Sequence, residues 1–147
     1  MPTATFILGL CGSGKSCLAK QIQKESGAKV LDEGFIVTPR MQQELVEELR
    51  NGRDCIVVEI TLCREDVRQE FIPWLLRHVP EAQIKWICFR NDLEKANANA
   101  WRRPDRDPAG HIAINHWVAQ NYTYPPGAEV IDVYEDKAGS ETSPPAK

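Results

Sequence analysis

The chain has 147 residues, a net charge of −3 and 42% hydrophobic residues, the size and composition of one globular domain. Acidic and basic residues are interspersed, so no basic surface favours a nucleic acid or a membrane as the main partner. No apolar run approaches the ~20 residues of a membrane span, and the five cysteines include no C-x-x-C pair, which argues against a disulfide framework or a zinc site. The N-terminus lacks the segments of a secretion signal, so we expect a cytoplasmic protein.

The first predicted unit is a strand, a glycine-rich loop and a helix. An apolar run over residues 5–8 predicts a buried strand, and apolar residues on one face predict a helix over residues 16–25. The loop between them matches the phosphate-binding pattern G-x-x-x-x-G-K-[ST] at every fixed position. Its residues are Gly9, Leu10, Cys11, Gly12, Ser13, Gly14, Lys15 and Ser16.

Each residue type in this loop has a chemical task. Glycines let successive backbone N–H groups turn inward around phosphate oxygens, and the N-terminus of the following helix adds partial positive charge. Lys15 can reach the outer phosphates of a nucleotide, and the hydroxyl of Ser16 can ligate Mg²⁺. We therefore predict a nucleotide phosphate site formed by residues 9–16 and the adjoining Cys17.

The same segment also begins a dinucleotide-binding fingerprint, G-x-G-x-x-G, at Gly12 and Gly14. Asp32 lies about where the ribose-binding acid of that fingerprint would fall. However, the third glycine position holds Cys17, and Lys15 has no role in dinucleotide binding. An NAD-dependent oxidoreductase is therefore the weaker alternative.

The rest of the chain alternates apolar runs with helical patterns, which predicts a parallel sheet covered by helices on both faces. The predicted strands cover residues 28–31, 55–60, 84–89 and 129–133, and the predicted helices cover residues 39–51, 65–78, 93–103 and 111–121. In the last helix we expect Ile114, Trp117 and Val118 to face the core. Residues 135–147 are polar and contain prolines, which predicts a flexible tail.

The phosphate loop and this order of elements over residues 3–134 resemble the small P-loop kinases, which include nucleoside, nucleotide, shikimate, gluconate and polynucleotide 5′-kinases. The resemblance implies one three-layer α/β/α domain over residues 1–134, with a five-stranded parallel sheet in the order 2-3-1-4-5. It also implies a short helical lid at about residues 95–111 that closes over ATP. The implied activity is Mg²⁺-dependent transfer of the γ-phosphoryl group of ATP to a small acceptor that carries a hydroxyl or phosphate group.

Three arginines fall where the implied lid would lie, namely Arg102, Arg103 and Arg106. A guanidinium group can stabilise the negative charge that spreads over a transferring phosphoryl group. We predict catalytic roles for Arg102 and Arg106 and a nucleotide-binding role for Arg103. The alternative is a solvated turn in which these arginines pair with Asp105 and Asp107.

Two carboxylates are candidates near the carboxyl ends of the strands, where open α/β sheets bind ligands. Asp32 follows the second strand, and in the resembling kinases an acid here often contacts the acceptor hydroxyl or Mg²⁺. We predict that Asp32 orients the acceptor and takes its proton late in the transfer. Glu59 interrupts the apolar third strand and resembles the acid that holds Mg²⁺ through water in this group. We predict a metal site formed by Ser16 and Glu59, with an interaction of Glu59 with Lys15 or with an acceptor as the alternative.

Several other residues receive weaker predictions. Thr61, Arg64 and Arg40 could line the acceptor pocket, although both arginines fit a solvated surface equally well. The three histidines lack metal-ligand spacing and partner acids, so we expect no catalytic role for them. Tyr134 follows the last strand, and in the resembling kinases the segment after this strand often borders the adenine of the nucleotide.

The predicted partners are thus ATP and a small-molecule acceptor whose identity the sequence leaves open. A regulatory module that binds ATP without transferring its phosphate is the main alternative. A polynucleotide 5′-kinase is a further one, which the balance of charges does not favour.

Overall fold

The computed structural model describes residues 1–32, 38–103 and 107–134. Its strands are β1 (Thr3–Leu8), β2 (Lys29–Leu31), β3 (Cys55–Val58), β4 (Gln83–Phe89) and β5 (Glu129–Ile131). Its helices are α1 (Lys15–Ser26), α2 (Pro39–Arg50), α3 (Glu65–His78), α4 (Leu93–Trp101) and α5 (Pro108–Ala119), and a 3₁₀ turn (Thr61–Cys63) precedes α3. None of the described helices is both long enough and apolar enough to span a membrane. The predicted tail at residues 135–147 and residues 104–106 of the predicted lid lie outside the described residues.

The five strands form one parallel sheet in the order β2-β3-β1-β4-β5, which confirms the predicted topology. β1 lies at the centre, where it pairs with β3 on one side and with β4 on the other. All of its residues after Thr3 are buried, because a central parallel strand is covered on both faces. The strand order reverses at β1, and ligands bind at the carboxyl end of such a point in open α/β sheets.

Side chains of β1 alternate between the two faces of the sheet and enter two separate core clusters. Phe6 and Leu8 belong to the larger cluster, which includes Leu45 of α2 and reaches α3, α4 and α5. Ile7 belongs to the smaller cluster, which includes Ala19 of α1. Helices therefore cover both faces, and the three-layer α/β/α arrangement is confirmed.

Helix α5 begins at Pro108, earlier than the predicted start at residue 111. The carboxylate of Asp107 accepts a hydrogen bond from the backbone N–H of Gly110 at 3.1 Å and so caps the first turn. Proline suits the first helical position because its missing N–H would have no intrahelical partner there. The sequence Pro108 to Gly110 therefore starts the helix instead of separating two helices.

The predicted core face of α5 is wrong at two of its three positions. Val118 is buried as expected, but Ile114 is 40% exposed and Trp117 is 55% exposed. The most buried side chain of this helix is instead that of Asn115, with no exposed surface. α5 thus turns a polar side chain toward the interior, where the glycine-rich loop lies.

Candidate nucleotide-binding site

The glycine-rich loop, residues 9–14, connects the carboxyl end of β1 to α1. Gly12 and Gly14 have φ angles of 91° and 107°, a conformation that residues with a Cβ rarely adopt. A Cβ at Gly12 would also lie 2.4 Å from the carbonyl oxygen of Ala96 in α4. The two glycines therefore let the chain reverse into α1 while α4 lies directly against the loop.

Lys15 begins α1 and reaches back over the loop. Its Nζ donates hydrogen bonds to the carbonyl oxygens of Gly9 and Leu10 at 2.8 and 2.9 Å. Burial lowers the pKa of Lys15, while nearby groups that include Asp32 and Glu59 act in the opposite direction. The ammonium group is therefore a weakly hydrated cation that a phosphate group can neutralise.

Two asparagines from the neighbouring helices hold the loop from the side of the protein core. Asn115 of α5 accepts a hydrogen bond from the N–H of Cys11 at 2.7 Å and donates one to the carbonyl of Cys11 at 2.9 Å. Asn99 of α4 donates to the carbonyl of Gly12 at 3.0 Å. Burying a carboxamide is costly unless it is hydrogen-bonded. The loop supplies those partners, so α5 buries Asn115 and leaves apolar residues at the surface.

The loop borders a cleft of about 180 Å³. Residues 11–16 line it together with Asp32, Val58, Ala100, Arg103 and His111. Two cations and the first N–H groups of α1 meet there, and those N–H groups have no intrahelical partner. Such a cleft is suited to a polyphosphate group.

Ser16 and Asp32, two predicted site residues, are in direct contact at the edge of this cleft. The hydroxyl of Ser16 donates a hydrogen bond to the carboxylate of Asp32 at 2.7 Å. Hydroxyl and carboxylate oxygens are the protein ligands that Mg²⁺ prefers. In the described part of the chain, no group of three or more metal-ligating side chains occurs. This pair nevertheless suits Mg²⁺, which binds through one or two side chains together with phosphate and water oxygens.

Glu59, the other predicted metal residue, is not among the residues that line the cleft. Its carboxylate accepts hydrogen bonds from the backbone N–H of Thr61 at 3.0 Å and from the Thr61 hydroxyl at 2.6 Å. The side chain is buried, yet its charge acts to raise the pKa of Lys15. This electrostatic effect agrees with the alternative role of Glu59 beside Lys15, and metal binding by Glu59 stays a prediction.

Of the three arginines predicted for a lid, Arg103 lines the cleft. Arg102 is exposed and is not part of the cleft lining, and Arg106 lies outside the described residues. Arg103 is thus the described lid arginine that borders the cleft, and its nucleotide-binding role stays a prediction. Catalytic roles for Arg102 and Arg106 stay predictions.

Three further predicted site residues, Leu10, Cys17 and Tyr134, lie in the loop or near it. The side chain of Leu10 is fully buried in the core, so this residue can serve the site only through its backbone. Cys17 is half-buried in α1 and does not line the cleft. The ring of Tyr134 lies 3.3 Å from the point where a Cβ of Gly14 would be. Tyr134 therefore borders the loop, and contact with adenine stays a prediction.

The residues considered for an acceptor pocket are engaged with protein groups or exposed. The guanidinium of Arg64 pairs with Asp66 at 3.1 Å and lies 4.6 Å from the centre of the Trp117 ring. Thr61 donates its hydroxyl to Glu59, as described above. Arg40 is exposed in the first turn of α2. None of these side chains lines the cleft.

Two residues of the site were missed by the sequence analysis, namely His111 and Asn115. His111 lies in the first turn of α5 and lines the cleft. The two residues are four positions apart and therefore share one face of α5. Polar residues at that spacing in an otherwise apolar helix were the signal that could have identified them.

No protein-family model matches the chain, and no match was found among curated proteins. Among solved structures, the chain is similar to a gluconokinase from Sinorhizobium meliloti 1021, with 15% identity, a TM-score of 0.56 and coverage of 91% of this chain and 84% of that one. It is also similar to shikimate kinase from Bacteroides thetaiotaomicron, with 10% identity, a TM-score of 0.53 and coverage of 89% and 86%. Kti12 from Chaetomium thermophilum in complex with ADP-AlF3 gives 14% identity, a TM-score of 0.53 and coverage of 92% and 91%. At these identities the likeness shows a shared fold.

Proposed function

We propose that this chain, which has the fold of the small P-loop kinases, is an ATP- and Mg²⁺-dependent phosphotransferase that acts on a small hydroxyl- or phosphate-bearing acceptor. One observation carries the proposal: the phosphate loop, Lys15, Arg103 and the Ser16–Asp32 pair all line a single cleft. This cleft lies at the carboxyl end of β1, where open α/β sheets bind ligands. The kinase activities in the names of two similar structures, and the ADP-AlF3 bound to Kti12, agree with it.

In this proposal the protein positions the triphosphate and neutralises its charge. The N–H groups of Gly14, Lys15 and Ser16 at the start of α1 would bind phosphate oxygens. The ammonium of Lys15 and the guanidinium of Arg103 would offset charge on the transferring group. Bound Mg²⁺ would supply further neutralisation of the phosphate oxygens, and Ser16 and Asp32 would hold it.

We expect Asp32→Asn to raise the Mg²⁺ concentration that gives half-maximal transfer by about 10- to 100-fold. The carboxamide keeps the size of Asp32 but loses the charge that accepts the Ser16 hydroxyl and attracts the cation. Transfer rates would be measured over a series of Mg²⁺ concentrations. Asp54→Asn is the matched control, because Asp54 lies near the amino ends of the strands and hydrogen-bonds the N–H of Thr3 at 2.9 Å.

The same titration separates the two roles considered for Asp32. If this residue orients the acceptor hydroxyl, Asp32→Asn raises KM for the acceptor and leaves the Mg²⁺ requirement as in the wild-type protein. That result would contradict the assignment of Asp32 to the metal.

The test of the proposed function begins with thermal unfolding in the presence of Mg·ATP, Mg·GTP or NAD. At a hundredfold excess over Kd, a ligand that binds the folded state adds about 2.7 kcal/mol of stability. The stabilising nucleotide would then be supplied with a labelled γ-phosphate to nucleosides, nucleotides, sugars, small hydroxy acids and 5′-hydroxyl oligonucleotides. Transfer of label to one acceptor class supports the proposal. Stabilisation by ATP without transfer to any of them favours a nucleotide-binding module, and stabilisation by NAD alone contradicts the proposal.

A further inference from the structure

The carbonyl groups of the phosphate loop are hydrogen-bonded by side chains that come from two directions. The carbonyls of Gly9 and Leu10 accept from Lys15, as described above. The carbonyls of the next two residues, Cys11 and Gly12, accept from side chains of α5 and α4. The second pair of contacts depends on tertiary structure alone, because Asn99 lies 87 residues beyond Gly12 and Asn115 lies 104 residues beyond Cys11.

The direction of these carbonyls matters for anion binding. A loop that binds phosphate must present N–H groups to it and turn its carbonyl dipoles away, because carbonyl oxygens repel an anion. A buried carbonyl that is turned away then needs a donor on the protein side. Asn99 and Asn115 are those donors for Gly12 and Cys11, and both side chains are almost completely buried.

Asn115 binds both backbone groups of Cys11, its N–H and its carbonyl. It accepts from the N–H of Cys11 and donates to the carbonyl of the same residue. Its Nδ2 also donates to Oδ1 of Asn97 in α4 at 3.0 Å. Only one orientation of the carboxamide satisfies all three contacts, so the side chain fixes the peptide groups on both sides of Cys11.

We infer that Asn115 is a positioning residue that keeps the phosphate loop in its anion-binding shape, with Asn99 doing the same for the following residue. The inference rests on the proposed phosphate site and adds that its affinity depends on helix α5. The same helix carries His111 to the cleft, and α4 leads to Arg103. The contacts of Asn115 therefore also set the distance of these side chains from the loop.

The test compares ADP binding, measured by calorimetry in the presence of Mg²⁺, with thermal unfolding of the ligand-free protein. Asn115→Leu keeps the volume but removes both contacts with Cys11. Asn91→Leu is the matched control, because Asn91 also ties α5, through a 3.1 Å bond to the carbonyl of Ala119 at the far end of the helix. We expect both variants to unfold at lower temperature, but Kd for ADP to rise at least about tenfold in Asn115→Leu alone. Equal affinities in the two variants would overturn the inference.

A second variant covers the case in which Asn115→Leu does not fold. Asn115→Asp has the same shape, but its ionised carboxylate cannot donate to Cys11 and places a negative charge beside the loop. A protonated carboxyl can donate again, so we expect the ratio of the Asn115→Asp and wild-type Kd values for ADP to fall as the pH is lowered from 8 to 5. The titratable groups of the packed elements, Lys15, Cys11, His111 and His116, are present in both proteins, so a pH dependence of the ratio comes from the substitution. A ratio near one at pH 8 would contradict the inference.

The outcomes for the inference and for the proposed function are separable. ADP binding that depends on Asn115 without transfer to any acceptor overturns the phosphotransferase alone. Transfer activity with ADP affinity that is insensitive to residue 115 overturns the positioning role alone. A wild-type protein that does not bind ADP overturns both.

Discussion

Replacement of Lys15 by alanine is expected to lower the rate of phosphoryl transfer by about 1,000-fold or more. Lys15 is the cation that lies over the loop, and its Nζ contacts the carbonyls of Gly9 and Leu10 at the edge of the cleft. Its loss removes charge stabilisation that grows as the phosphoryl group transfers. The measurement is single-turnover transfer of labelled γ-phosphate.

The stability of this variant gives an independent check. The pKa of Lys15 is lowered in the folded protein, which means that folding disfavours its charged form. That cost is present when the unfolded chain carries a charged lysine and disappears at a pH above the ordinary lysine pKa. Lys15→Ala removes this cost but also leaves the carbonyls of Gly9 and Leu10 without their donor. Because the two effects oppose each other, we expect its unfolding temperature at pH 7 to stay close to that of the wild-type protein.

Lys20→Ala is the matched control, because Lys20 is an exposed lysine of the same helix. It should leave both transfer and unfolding temperature unchanged. Transfer by Lys15→Ala at the wild-type rate would contradict the proposed function, because no other described lysine lines the cleft.

Gly12→Ala is expected to have the largest effect on the fold of the site, a loss of about 3 kcal/mol in the free energy of unfolding. Two physical causes add at this position. The φ angle of 91° is strained for alanine, and the new methyl group would lie 2.4 Å from the carbonyl oxygen of Ala96. A backbone oxygen in α4 cannot move away as a side chain can, so the loop or the helix must shift. For a domain of this size we expect the unfolding temperature to fall by roughly 10 °C, with loss of ADP binding.

Gly27→Ala separates the two causes. Gly27 ends α1 with a φ angle of 75°, and an added Cβ there would meet no atom within 4 Å. It should cost only the strain of the left-handed conformation, about 1 kcal/mol, and leave ADP binding unchanged. Equal losses in Gly12→Ala and Gly27→Ala would show that the contact of α4 with the loop does not constrain the site.

The elements whose bounds follow from short sequence patterns were predicted well. The loop at residues 9–16 has its glycines and lysine at fixed spacing, and the structure has a strand before it and a helix after it. Helix α3 has the predicted bounds, and Pro39 is the first residue of α2. In each case the signal is a short pattern whose physical cause acts within a few residues.

The site was predicted less completely, because the contacts between its residues depend on elements that are far apart in the sequence. Asp32 was predicted as a site residue, but its contact with Ser16 arises only when β2 and α1 come together. Arg102 and Arg103 are neighbours in sequence, and the end of α4 decides that Arg103 lines the cleft. Nothing in the local pattern distinguishes such neighbours.

Helix α5 shows most clearly where the sequence alone was insufficient. An apolar helix is expected to bury its largest hydrophobic side chains, yet Trp117 is largely exposed and Asn115 is buried. Hydrophobic patterning assumes that the facing surface is apolar. The surface that faces Asn115 includes the backbone of the glycine-rich loop, whose N–H and carbonyl groups need hydrogen-bond partners.

The sequence by itself determined the glycine-rich loop between a strand and a helix, the alternation of strands and helices, and the parallel sheet that these imply, because local periodicity and backbone conformation suffice for them. The tertiary structure decided which carboxylate contacts Ser16, which arginine and histidine line the cleft, and which face of α5 is buried. These choices depend on contacts between residues far apart in the chain. Buried polar groups must be paired there, and that requirement outweighed the burial of a tryptophan.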